Sequence, residues 1–169
     1  MYDLKFSDPA LTSWALLRQT WSLMDKAAET KLGRIGLTPE KAAVLWACKE
    51  HPGPLIPAEI ARFVSRESQS VTGLLNRMEE EGLIMRIPKR KGRPYTEIRA
   101  TDRGKNLCLQ AIDILKGVVT ETMSVLKDGD FERLNQPLRA LRQQAADTLH
   151  LELMPRPSGS PDNTIPVNW

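Results

Sequence analysis

The 169-residue chain reads as a mainly α protein with one small β hairpin, on three observations. Apolar residues recur at helical spacing along most of its length. Thr-Pro, Gly and Pro signals cut that pattern into segments. Strand-like residues flank one short, strongly basic loop, 88–94. This length suits one domain with a sizeable core, or a small domain with an oligomerisation arm.

Each segment has a physical reason. Ala10, Trp14, Leu17, Trp21, Met24 and Ala28 follow at steps of four and three, which lines one face of a first helix over 10–28 and demands a partner for that face. Gly33 and Gly36 break it. Leu37-Thr38-Pro39-Glu40 restarts the pattern, with Thr38 as N-cap and Pro39 at N1, for a second helix to about Lys49. His51-Pro52-Gly53-Pro54 must end it. Pro57 opens a short third helix with Ile60, Ala61 and Val64 as a narrow apolar stripe.

A fourth helix places Val71, Leu74, Leu75 and Met78 inward and ends at Gly82. Its opposite face is Gln69, Ser70, Thr72, Gly73, Asn76 and Arg77, short and nearly uncharged where a solvated face would carry Lys and Glu. Met85–Ile87 and Tyr95–Arg99 have strand character around the loop. Thr101 caps a fifth helix with Leu107, Ala111, Ile114, Leu115, Val118 and Val119 on one side, running to about Leu126. After the Lys127–Asp130 turn, Phe131, Leu134, Leu138, Leu141, Ala145 and Leu149 mark a last helix, which Pro137 should kink or begin. The tail from 154 has no periodicity, and disorder is the default for its composition.

Charge is concentrated. From Arg86 to Arg99 six cations stand against one acid, a local +5 in a chain of net +3, so the remainder is slightly acidic. A basic knot on a near-neutral body points to a local polyanion contact. Two short helices, a polar-faced third and a basic hairpin form a winged helix-turn-helix, because the major groove of duplex DNA admits one helix whose short polar side chains meet base edges. The hairpin cations would then follow the backbone or the minor groove.

Other chemistries find little to work with. His51 and His150 are the only histidines, and no close-spaced His/Cys set, Gly-rich phosphate loop or nucleophile elbow occurs, so no metal, cofactor or enzyme activity is expected. Cys48 and Cys108 sit among apolar neighbours and read as buried, reduced thiols. Neither a spanning run nor a signal peptide is present, which implies a cytoplasmic protein with no membrane partner.

The stretch VSRESQSVTGLLNRMEEEGLIMRIPKRKGRPYTEIRATDRG resembles the MarR family of winged-helix transcriptional regulators. Val71-Thr72, Leu75-Asn76-Arg77-Met78, Glu81-Gly82-Leu83-Ile84 with Arg86, and Thr101 with Gly104 carry the likeness, which extends from about residue 10 to 150. It implies a homodimer on pseudo-palindromic promoter DNA, released by a small aromatic effector. Two positions depart from the family's pattern. Gly92-Arg93-Pro94 replaces the usual Asp-x-Arg of the wing, and Gly73 replaces a frequent basic residue.

The expected double-stranded DNA contacts are Ser65, Arg66, Ser68, Gln69, Ser70, Thr72, Gly73, Asn76 and Arg77, with Arg86, Lys89, Arg90, Lys91 and Arg93 from the hairpin. Trp14, Trp21 and Trp46 are candidates for an effector-pocket wall, or serve core and dimer packing. The chain is expected to divide into a dimerisation helix over 1–34, a DNA-binding domain over 35–104, C-terminal dimerisation helices over 105–153 and an irregular tail over 154–169. A winged-helix protein-interaction module that never touches DNA is the alternative.

Overall fold

Among the described residues of a computed structural model, which are 2–51, 53–64, 68–88 and 96–151, the order is α1 (Pro9–Gly33), α2 (Pro39–Glu50), α3 (Pro57–Phe63), α4 (Ser68–Glu80), β1 (Ile84–Ile87), β2 (Glu97–Ala100), α5 (Asp102–Met123) and α6 (Asp130–Thr148). The chain falls into two compact units, Met1–Val119 and Thr120–Trp169.

In the first unit the local signals do what their chemistry requires. Thr38 adopts extended backbone and its hydroxyl accepts from the Lys41 N–H at 3.3 Å, while Pro39 occupies the first turn of α2. Asp8 does the same for α1, accepting from the Ala10 N–H at 2.7 Å. Helix α4 stops because Gly82 takes φ +67, a left-handed conformation that suits glycine. The Leu83 N–H then reaches back to the Met78 carbonyl at 2.8 Å and the Gly82 N–H to that of Glu79 at 2.9 Å, satisfying carbonyls that the helix end would orphan.

The strands pair antiparallel with Ile84 opposite Ala100 and Ile87 opposite Glu97. The Ile98 N–H donates to the Leu55 carbonyl at 2.8 Å, which fastens the hairpin base to the segment before α3. Leu32, Leu37, Val44, Leu45, Ile60, Val71, Leu75, Met78, Leu83, Ile84, Ile98 and Cys108 form one core. Each large side chain buried there contributes about 1.5–3 kcal/mol.

Gly104 lies where α5 crosses the start of the hairpin. A Cβ on it would stand 2.0 Å from the Leu83 carbonyl oxygen. Thr101 stitches the same junction: its hydroxyl donates to the Gly82 carbonyl at 2.7 Å and accepts from the Gly104 N–H at 3.1 Å, the capping role its position suggests.

Two apolar faces turn out differently from a single buried stripe. On α5 the buried positions are Gly104, Cys108, Ala111, Ile112 and Val118, whereas Val119 is exposed. Leu107, Ile114 and Leu115 are partly buried against the core, so the expected side holds apart from Val119, and the buried stripe is widened by Cys108 and Ile112. On α1 only Ala15, Ala28 and Leu32 are buried; Trp14 is 59% exposed and Trp21 69% exposed in the single chain.

In the second unit α6 begins at Asp130, after Gly129 at φ +87, and passes through Pro137. Pro137 therefore does not mark its start; it lies within the helix, where its ring deprives the Arg133 carbonyl of its helical donor. Phe131, Leu138, Leu141 and Leu149 of this helix and the turn after it are exposed.

Candidate nucleic-acid interface

Helices α3 and α4 form the helix-turn-helix. Val71, Leu74, Leu75 and Met78 bury the inner face of α4, which leaves Gln69, Ser70, Thr72, Asn76 and Arg77 exposed on the other side, with Gly73 half-buried. These side chains line the outer surface as the spacing predicts. A cleft lined by Thr38, Lys41, Val64, Gln69, Ser70, Gly73 and Arg77 opens beside them.

The C-terminal end of α4 carries three acids, which a phosphate backbone would repel. Two of them are engaged inside the protein. Lys41 binds both carboxylate oxygens of Glu81 at 2.6 and 2.7 Å, and Arg103 donates to the Glu81 carbonyl at 2.8 Å, placing cations at the negative end of the helix. Glu79 is ion-paired with Arg86, and its other oxygen accepts from the Arg86 backbone N–H at 3.2 Å.

Arg86 is the meeting point of helix and hairpin. It sits on β1, and beyond its pair with Glu79 its second terminal nitrogen donates to Asn76 Oδ1 at 2.6 Å. The hairpin base is thereby tied to the polar face of α4 at Asn76. Among the expected contacts, Arg86 is held by two partners within the chain. Sequence reasoning missed Glu79 in this role; the available signal was an acid at the wrong end of a helix, one turn after Asn76, which needs a nearby cation.

Ser65, Arg66, Lys89, Arg90, Lys91 and Arg93 lie outside the described residues, as do the side chain of Ser68, Tyr95 and the tail. The tryptophans do not come together. Trp14 and Trp21 are exposed on α1, and Trp46 packs edge-on against Phe63, 5.3 Å between ring centres.

A separate cavity of about 540 Å³ opens between α2, β2 and the start of α5, lined by Leu45, Leu55, Ile98 and Leu109 with Lys49, Arg99 and Lys105. Cys48 and Cys108 face it as free thiols. Burial pushes the Cys48 thiol up to about 12, with the nearby Cys108 adding to it, and burial also raises Cys108. Such thiols carry almost no thiolate at neutral pH and are poor nucleophiles. Among the described residues no group of three or more His, Cys, Asp or Glu is placed to hold a metal ion, and no helix is long and apolar enough to cross a membrane.

Comparison with known proteins agrees with this architecture. The MarR family model matches residues 35–93, from before α2 through the hairpin loop. The chain is 27% identical over 157 residues to the HTH-type transcriptional repressor MdtR of Bacillus subtilis (strain 168), covering 93% of this chain and 97% of that protein. The ligand-free crystal structure of the organohalide-sensing regulator RdhR shares the fold at TM-score 0.74 and 22% identity, covering 90% of this chain and 98% of that one. The S. aureus MepR–DNA complex does so at TM-score 0.72 and 23% identity, covering 77% and 96%. The polar outer face of α4, the hairpin base fastened to it and these likenesses agree: residues 35–93 match the MarR family model, and the chain has the winged helix-turn-helix fold of MarR-type, DNA-binding transcriptional regulators.

Proposed function

We propose that this regulator is a cytoplasmic repressor that binds a pseudo-palindromic promoter site as a homodimer and is released by a small aromatic effector. The observation that carries this reading is the joint surface of α4 and the hairpin base, fastened through Arg86 to Asn76. Gln69, Ser70, Thr72, Asn76 and Arg77 are its base and phosphate contacts, and Ser65, Arg66, Ser68, Lys89, Arg90, Lys91 and Arg93 extend it.

Exposed apolar residues support the dimer. Trp14, Leu17 and Trp21 on α1 and, in the second unit, Leu138 and Leu141 on α6 stand open in the single chain, and exposed apolar residues clustered on a helix in this way mark an association site. A second copy covering them supplies the partner that the long α1 stripe demands, and Trp14 and Trp21 then serve subunit packing. For the effector, the cavity beside β2 offers apolar walls with Lys49 and Lys105 at its polar side, where Arg99 is already paired with the buried Glu97 at 2.5 Å, and the two lysines suit a small aromatic acid. A ligand wedged there would press on the strand that carries the hairpin. RdhR, an organohalide-sensing regulator, is in keeping with small-molecule control in a protein of this fold.

Footprinting of the promoter of its own operon, with sedimentation of the purified protein, tests the proposal. A dimer protecting two half-sites about one helical turn apart, with protection lost on adding an aromatic carboxylate, is the expected result. A monomer on a single half-site rejects the dimer, and protection indifferent to every aromatic acid tried rejects the effector.

Gly73 gives a finer prediction. A Cβ there meets nothing within 4 Å, so the glycine is not required by packing inside the chain. Gly73→Ala is expected to stabilise α4 by about 0.5–1 kcal/mol while weakening operator binding, because the bare backbone at that turn faces the DNA. Urea unfolding and operator titration measure the two effects; a more stable variant with unchanged affinity removes Gly73 from the contact surface.

A further inference from the structure

Resting on the proposed reading that α4 enters the major groove, we infer that Arg86 is a positioning residue for base recognition: it fixes the amide of Asn76 so that the –NH₂ end faces the DNA, and the protein reads hydrogen-bond acceptors at that base pair.

An asparagine side chain is ambiguous by construction, since its C=O accepts, its NH₂ donates, and half a turn about the last bond exchanges them. A free asparagine in the major groove uses both ends at once on adenine, accepting from N6 and donating to N7. Here the choice is made within the protein. The Arg86 guanidinium donates to Asn76 Oδ1 at 2.6 Å. Arginine has only donors, so the atom that meets it must be the amide oxygen. The bond is charge-assisted, stronger than a neutral one, and holds the amide against rotation.

Arg86 is itself fixed. Glu79, one turn after Asn76 on α4, pairs with its other terminal nitrogen and accepts from its backbone N–H at 3.2 Å. The Arg86 side chain is 28% exposed, so the bracket stands partly out of water. With Oδ1 engaged, Asn76 offers N–H groups, which match the two acceptors of guanine, O6 and N7, or O4 of thymine. The bidentate pattern on adenine needs the oxygen as well, and it is weakened because Oδ1 is held toward Arg86 with one lone pair taken.

Selection of binding sites from a randomised duplex library, using the full chain, tests this in wild type, Arg86→Met, Arg86→Lys, Asn76→Ala and the Arg86→Met/Asn76→Ala double variant, with thermal unfolding of each. Wild type is expected to select guanine or thymine at the base pair where Asn76→Ala loses preference. Arg86→Met frees the amide and is expected to move that one preference toward adenine by about 5- to 150-fold, the range of a bidentate base contact. Other positions should not change, and in the Asn76→Ala background Arg86→Met should have no further effect there. Arg86→Lys, which keeps the charge but cannot fork to both Glu79 and Asn76, should shift the same way and serves if the methionine variant does not fold. Adenine selected by wild type, or weakening spread evenly over all sequences in the Arg86 variants, overturns the inference while leaving the DNA-binding reading intact. A wild-type protein that enriches no sequence overturns both.

Discussion

Gly104→Ala, the addition of one methyl group, is expected to destabilise the fold by about 1–3 kcal/mol or more. The new Cβ would stand 2.0 Å from the Leu83 carbonyl oxygen and 3.1 Å from Leu45 Cδ2, and the first of these is backbone that cannot swing aside. That carbonyl also accepts from the Thr101 N–H at 3.1 Å. Relief must therefore move α5 away from the hairpin base and stretch the Thr101 stitch. Gly117 on the same helix is the control, because a Cβ there meets nothing within 4 Å. Gly117→Ala should be neutral or stabilise by up to about 1 kcal/mol, as helix propensity favours alanine. Denaturant unfolding of the two variants gives opposite signs if α5 packs as described, and equal effects would contradict the packing. DNA affinity should fall with Gly104→Ala even where the protein remains folded, since the shift displaces the strand carrying Arg86.

Salt is expected to produce the largest change of all in DNA binding. Each phosphate neutralised by a cation releases counterions, with a log-log slope of about −0.9 per contact. Arg66, Arg77, Lys89, Arg90, Lys91 and Arg93 supply six candidate cations in each subunit. Affinity should drop by roughly 10³-fold or more between about 50 and 200 mM salt. Lys91→Ala and Arg93→Ala should each weaken binding to all sequences alike and flatten the slope by about 0.9 per subunit. Substituting Gln69 should instead alter preference at one base pair by about 1–3 kcal/mol. Titrations at several salt concentrations separate these behaviours. Hairpin variants that bind promoter DNA like wild type would show that the loop cations are not phosphate contacts.

The internal ion pairs bear on that electrostatic picture. Lys41 with Glu81 and Arg86 with Glu79 neutralise two of the three acids at the end of α4. Exposed pairs elsewhere, such as Lys26 with Glu29 and Arg62 with Glu59, are single-turn helical contacts that contribute little.

The helix boundaries were legible because their signals are local. A Thr-Pro start, a glycine able to take positive φ and a threonine cap act within four or five residues, so Thr38, Gly82 and Thr101 announce themselves. The polar face of α4 was equally legible, since helical periodicity sorts its residues into two sides. The roles of Arg86 and Glu79 were not. As a member of a basic run Arg86 counts simply as one more cation, and nothing in the order of residues says that it folds back across the hairpin base to a helix ten residues earlier. The inward side of α5 was legible in part: Ala111 and Val118 are buried and Leu107, Ile114 and Leu115 pack against the core as spacing indicates, whereas the neighbours add Cys108 and Ile112 and leave Val119 exposed.

By itself the sequence determined which segments become helices, where they stop, that one hairpin gathers positive charge, and which helix offers an uncharged polar surface. These depend on backbone conformation and on periodic patterning, both carried by near neighbours. Tertiary structure alone decided that Arg86 is turned to Glu79 and Asn76, which residues of each apolar stripe enter the core, and why Gly104 has no side chain. Those outcomes depend on distances between groups far apart in the chain, which exist only once α4, the hairpin and α5 have packed together.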